Sequence, residues 1–136
     1  MPRILAFDVG KKRTGMAHTD DMKIIASGYG TFATGEIIKE VQNYIEKHDV
    51  DTFVVGMPVD LLDRETNGTE FAKAVIKKLR NHFPDIPIVE EDERFTSQMA
   101  MQTLIASGVK KKKRREKGLL DEVSATIILQ SYLGNI

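Results

Sequence analysis

Apolar residues occur first as short continuous runs and later at helical spacing, and this change of period organises the chain. The opening run, Ile4-Leu5-Ala6-Phe7, is followed by stretches over 15–19 and 24–32, with Asp20-Asp21 between those two. Short apolar runs bounded by turn residues predict three strands in an antiparallel meander. Next come Ile37, Ile38, Val41, Tyr44 and Ile45, one stripe of a helix over 36–48, with Thr34 and Gly35 where it should start. The run over 50–57, broken by Gly56 and Pro58, reads as a central parallel strand buried on both faces. Residues 60–69 are polar and rich in turn formers, which predicts a loop. Helical spacing resumes over 70–83 with Phe71, Val75, Ile76 and Leu79, and Pro84 stops it. A strand over 86–89 runs into Glu90-Glu91-Asp92-Glu93. Thr96 or Ser97 can cap a helix carrying Met99, Ala100, Thr103 and Leu104, which Gly108 ends. The last helix, over 121–133, is apolar nearly all round and should be well buried.

The predicted order is β-β-β-α-β-α-β-α-α, without an internal repeat or a linker. Three antiparallel strands followed by two helix-strand units give one mixed five-stranded sheet with helices on its faces. That is an α/β architecture in the order of a ribonuclease H-like fold, expected as a single domain over 1–136.

A chain of 136 residues can hide roughly two-thirds of its unfolded surface, enough for one sizeable core. Its 20 basic and 20 acidic side chains balance, so net charge neither favours nor excludes nucleic acid. Their distribution says more: Lys110, Lys111, Lys112, Lys113, Arg114, Arg115 and Lys117 crowd into eight positions. Clustered Lys and Arg supply the salt-sensitive, sequence-independent part of nucleic-acid binding. A solvated loop that keeps the protein soluble is the plainer alternative. Cysteine is absent, which excludes disulfides and thiolate metal sites. With no secretory signal and no apolar stretch near the roughly 20 residues that span a bilayer, the expectation is a cytoplasmic protein without membrane contact. Asn67-Gly68-Thr69 then reads as a turn, not a glycosylation acceptor.

Asp8 ends the first run and is followed by Val9-Gly10-Lys11-Lys12-Arg13-Thr14-Gly15. A carboxylate at that point needs a partner, a metal ion or nearby base. The acidic tetrad closes another strand, and Asp121 opens the last helix. Ligands gather outside the carboxyl ends of parallel strands, so these acids are expected to converge at one edge. Converged carboxylates repel unless a cation joins them. Oxygen-only ligation suits Mg²⁺ or Mn²⁺, and two such ions about 4 Å apart promote phosphodiester hydrolysis. Taken singly, each acid has a plainer role. Asp8 could form a turn, the tetrad could pair with Arg94 or be a solvated edge, and Asp121 could answer the helix dipole. His18, His48 and His82 stand in unlike contexts and receive no role.

Four stretches now carry a resemblance. They are Asp8 to Gly15, Val54-Val55-Gly56-Met57-Pro58, Asp92-Glu93-Arg94-Phe95-Thr96-Ser97-Gln98-Met99-Ala100, and Lys117-Gly118-Leu119-Leu120-Asp121-Glu122-Val123-Ser124-Ala125. In this order and spacing the chain resembles the YqgF (RuvX) family, relatives of the Holliday junction resolvase RuvC. The resemblance implies a ribonuclease H-like fold and a divalent-metal nuclease of the bacterial cytoplasm. It also implies a role in maturing the 5′ end of precursor 16S ribosomal RNA, or in resolving branched DNA. By motif match the acidic site is Asp8, Glu93 and Asp121, with Asp92 as a substitute for Glu93. Lys12, Arg13 and Arg94 face substrate or support the site. The resolvase relatives carry a glutamate where this chain has Gly56-Met57-Pro58, so the second acid must come from Asp92 or Glu93. Expected partners are structured RNA or branched DNA and ribosomal precursor particles. The expected state is a monomer or a homodimer, the dimer suiting a resolvase that cuts two strands symmetrically. Two other classes compete: an actin- or sugar-kinase-like ATPase, which would need a second lobe, and a non-catalytic RNA-binding factor.

Overall fold

The computed structural model describes residues 2–58, 67–92 and 117–134. Five strands, β1 (Arg3–Val9), β2 (Arg13–Thr19), β3 (Ala26–Ala33), β4 (Val50–Met57) and β5 (Ile88–Asp92), form one sheet in the order β3-β2-β1-β4-β5. The first three run antiparallel, while β4 is parallel to β1 and β5 to β4. β1 is central because both of its faces are apolar. Leu5, Phe7 and Val9 enter one core, and Ile4 and Ala6 enter the other.

Helices α1 (Ile37–Lys47) and α2 (Asn67–His82) cover the first face, and α3 (Lys117–Tyr132) covers the second. The first core is built from large side chains: Leu5, Phe7, Met16, Tyr44, Phe53 and Leu79, none more than 1% exposed. Burying each aliphatic or phenyl group of that size contributes about 1.5–3 kcal/mol. The second core is thinner, with Ala6, Ala17 and Ala125 beside Ile4, Val54, Ile128 and Leu129. Small residues there let α3 lie low on the sheet.

Element boundaries differ from the sequence expectation where side chains compete for backbone groups. β3 starts at Ala26, not 24, because the Asp20 carboxylate accepts the amides of Ile24 and Ile25 at 2.8 and 3.0 Å. Those bonds hold the Asp20 carboxyl below its ordinary range and leave Ile24 and Ile25 about 60% exposed. Asn67-Gly68-Thr69 opens α2 instead of forming a turn, and the Thr69 hydroxyl donates to the Pro58 carbonyl at 2.7 Å. β5 is shifted toward the acidic tetrad and takes Glu90, Glu91 and Asp92 into the sheet. α3 begins at Lys117, four residues before the expected start at Asp121. The helix expected over 96–108 lies outside the described residues.

At the end of the sheet remote from Asp8, the Tyr44 hydroxyl accepts from Arg3 at 3.4 Å. The same hydroxyl shares a hydrogen bond with Nδ1 of His18, 2.7 Å away, whose donor is set by the imidazole tautomer. Burial pushes the His18 pKa below its ordinary 6.5, and the Arg3 charge adds to that. The unfolded chain thus binds this proton more readily. Stability linked to neutral His18 is complete above pH 6.5 and declines as pH falls below it. Thermal unfolding should show a melting temperature that drops between about pH 7.5 and 5.5, and a shallower drop in His18→Gln. An equal slope in both proteins would exclude His18 as the source.

Candidate acidic site at the end of the central strand

Strand alternation sets Asp8 on the α3 face, in line with Ile4 and Ala6. Its cross-strand partner on β2 is Gly15. A Cβ at position 15 would overlap the carbonyl group of Asp121 and come within 2.9 Å of the Glu122 nitrogen. Only glycine allows the α3 backbone to rest on the sheet there. Gly28 on β3 instead leaves room for the side chain of Glu122, whose Cγ would lie 2.7 Å from an added Cβ. Gly15 thus seats the early part of α3 and brings Asp121 against the residue directly opposite Asp8. Directly opposed residues in an antiparallel pair have Cα atoms about 4.5–5.5 Å apart. The two acids, widely separated in sequence, share one neighbourhood.

Arg13 lies on this face too, two residues before Gly15, and its Nε donates to Oδ2 of Asp121 at 3.3 Å. With 41% of the Arg13 side chain and 25% of the Asp121 side chain exposed, such a pair is worth at most about 1 kcal/mol. Its larger effect is to aim the Asp121 carboxylate. Because α3 starts at Lys117, Asp121 stands one turn inside the helix, not at its opening as the sequence predicts. A first-turn dipole role therefore does not account for it. Between β1 and β2, Gly10 N–H donates to the Arg13 carbonyl at 2.8 Å, closing a hairpin whose tip exposes Lys11 and Lys12.

The described members of the acidic tetrad go elsewhere. Glu90 pairs in register with Val55 and Asp92 with Met57, so both fall on the α1/α2 face, opposite Asp8. Glu91 pairs with Gly56 and does share the face of Asp8. Its Oε1, however, accepts from the Ser131 hydroxyl at 2.9 Å. Ser131 is ten residues along α3 from Asp121, a rise of about 15 Å. Reading the strands alone missed Glu91's place on this face, which the two-residue alternation from Val89 could have shown.

Glu93, Arg94 and residues 110–115, which hold Lys110, Lys111, Lys112, Lys113, Arg114 and Arg115, lie outside the described residues, as does the side chain of Lys117. Among the described residues no three His, Asp or Glu side chains are grouped to hold a metal ion. Asp8 and Asp121 provide hard carboxylate oxygens of the kind Mg²⁺ or Mn²⁺ takes, and the sequence has no cysteine thiolate to compete with them. The donor chemistry present fits those ions.

The sequence pattern of the RuvX family, described as Holliday junction resolvase, matches residues 2–135. The chain belongs to the RuvX family. Curated relatives include one from Flavobacterium psychrophilum, 49% identical over 98% of this chain and 97% of its own length. Another, from Porphyromonas gingivalis, is 47% identical over 99% and 98%. Both carry the name "Putative pre-16S rRNA nuclease". Among solved structures, the fowlpox virus Holliday junction resolvase aligns with a TM-score of 0.58 at 12% identity, over 98% of this chain and 99% of that one. Thermus thermophilus RuvC, solved with a Holliday junction substrate, aligns at 0.56 and 12% identity, over 99% and 98%. At that identity the likeness concerns the fold, and the fold of this RuvX member is ribonuclease H-like, as its sequence order predicts.

Gly15→Ala should force α3 away from β2, costing about 1–3 kcal/mol or more in urea unfolding, and should weaken divalent-ion binding in calorimetry. Gly35→Ala, where an added Cβ meets nothing within 4 Å, is the control. Equal metal binding in Gly15→Ala would mean that the seating of α3 does not set the site.

Proposed function

We propose that this RuvX-family chain is a divalent-metal-dependent endonuclease that hydrolyses phosphodiester bonds of structured RNA, maturing the 5′ end of precursor 16S rRNA. The observation that carries the reading is the juxtaposition of Asp8 and Asp121 across Gly15 at the carboxyl end of the central strand. Relatives at 42–49% identity named for that RNA point to the substrate.

Asp8 and Asp121 would hold Mg²⁺ or Mn²⁺, with Glu93 as the third acid. Glu93 takes that place by motif match, and register supports it by setting Asp92 on the opposite face. Gly56, in the same face row as Asp8, leaves no side chain where the resolvase relatives carry a glutamate, which favours RNA over junction DNA. A bound cation would offset charge gathering on the scissile phosphate and lower the pKa of an attacking water. Arg13 keeps the Asp121 carboxylate aimed into the site. Lys12 on the hairpin tip, Arg94, and the tract formed by Lys110 to Arg115 with Lys117 would meet phosphates along the strand. No described helix is long and apolar enough to cross a membrane. A cytoplasmic protein acting on ribosomal precursor particles, as a monomer or homodimer, completes the proposal.

Parallel digestion of precursor 16S rRNA and a four-way DNA junction in Mg²⁺ tests the substrate. RNA cleavage is expected, and cleavage of the junction alone would reverse the choice. Asp8→Asn should lower the rate by a factor of about 100 or more, several kcal/mol of lost metal-assisted stabilisation. If that variant processes RNA and binds metal normally, the acids are structural and a non-catalytic RNA-binding factor remains. Lys12→Gln should weaken RNA binding and flatten its salt dependence by a slope of about 0.7–0.9. An unchanged slope would remove Lys12 from the interface.

A further inference from the structure

Thr34 stands at the junction of β3 and the single 3₁₀ turn Thr34–Glu36 that leads into α1. A threonine just before a helix ordinarily caps it, with the hydroxyl accepting a free amide of the first turn. Here neither the 3₁₀ turn nor α1 has a side-chain cap. The Thr34 hydroxyl turns back to the β1–β2 hairpin and donates to the Gly10 carbonyl at 2.7 Å. Because its one proton is committed there, the Thr14 hydroxyl, 2.9 Å away, must donate to Thr34. The backbone N–H of Thr34 also donates to the Lys12 carbonyl at 2.9 Å. One residue therefore holds the incoming arm of the hairpin at Gly10, its tip at Lys12 and its outgoing arm at Thr14.

That hairpin connects Asp8 to Arg13. Its inner bond, Gly10 N–H to the Arg13 carbonyl, fixes the backbone from which Arg13 reaches Asp121. Thr14 is fully buried, so its hydroxyl has no water to replace a lost partner. Without the Thr34 hydroxyl the Gly10 carbonyl also loses this bond, and the hairpin is left tied to Thr34 only through its backbone N–H at Lys12.

We propose that Thr34 is a positioning residue: by latching the 10–13 hairpin it keeps Arg13 on Asp121 and Lys12 at a fixed height above the acids. The consequence for cleavage rests on the acid-site proposal above, but the latch itself does not. Thr34→Val removes the hydroxyl while keeping shape and the N–H to Lys12, and Thr34→Ser restores the hydroxyl. Thr14→Val is a milder second variant, losing only the bond into Thr34.

In NMR, Thr34→Val should speed exchange of the Arg13 Nε–H by about tenfold, Thr14→Val by less, and Thr34→Ser should match the unaltered protein. In single-turnover cleavage of precursor rRNA at saturating Mg²⁺, Thr34→Val should lower the rate constant between about 10- and 100-fold, the size expected from slight misplacement of a site group. Thr34→Ser should recover that rate. A lowered melting temperature in Thr34→Val with unchanged Arg13 exchange and unchanged rate would overturn the latch and leave Thr34 as a structural residue. Should Thr34→Val not fold, Thr14→Val decides by the same two readouts. If the unaltered protein cleaves no nucleic acid, the nuclease proposal fails, while the exchange data still decide the latch.

Discussion

The contact between Gly15 and the backbone of α3 is the constraint on which the site depends. A helix normally stands off a sheet by the length of the side chains between them. At Gly15 there is no side chain, and the carbonyl of Asp121 occupies the volume that a Cβ would fill. Close approach turns a helix that merely covers a sheet into one that brings a carboxylate to the end of the central strand. Gly28 on β3 makes room for the Glu122 side chain of the same helix.

The two faces of the sheet divide the work. Stability comes mainly from the α1/α2 side, where Phe7, Phe53, Tyr44, Met16 and Leu79 are packed without exposure to water beyond 1%. The α3 side is lined by Ala6, Ala17 and Ala125, with Gly15 under the helix backbone, and packs a smaller core. Small residues give less burial per position, yet they let acids and Arg13 meet near the surface. The chain accepts a thinner layer on the face that carries Asp8 and Asp121.

Charge follows the same division. The formal balance of 20 basic and 20 acidic residues hides local sorting. Lys11 and Lys12 stand at the hairpin beside the site, while seven basic residues gather between 110 and 117. At the far end, Arg3 and Asp21 pair at 2.8 Å, Lys23 pairs with Asp51, and the carboxyls of Asp20 and Asp21 are held below their usual range. These pairs lie at one end of the sheet, and Asp8, Asp121 and its partner Arg13 lie at the other.

The order of elements, the mixed five-stranded sheet and the family were legible in the sequence, because alternation, apolar runs and a few motif residues are local properties. Asp8 as the end of a strand followed by a basic hairpin was also a local fact. Tertiary structure decided the rest. Which of four adjacent acids faces Asp8 depends on the register of β5 against β4, and one position of register exchanges faces. That Thr34 bonds a hairpin instead of capping a helix is settled by partners 20 or more residues away. Gly15 shows the limit best. As a letter in the chain it reads as a pause in a strand, and only the helix lying upon it shows why no larger residue can stand there.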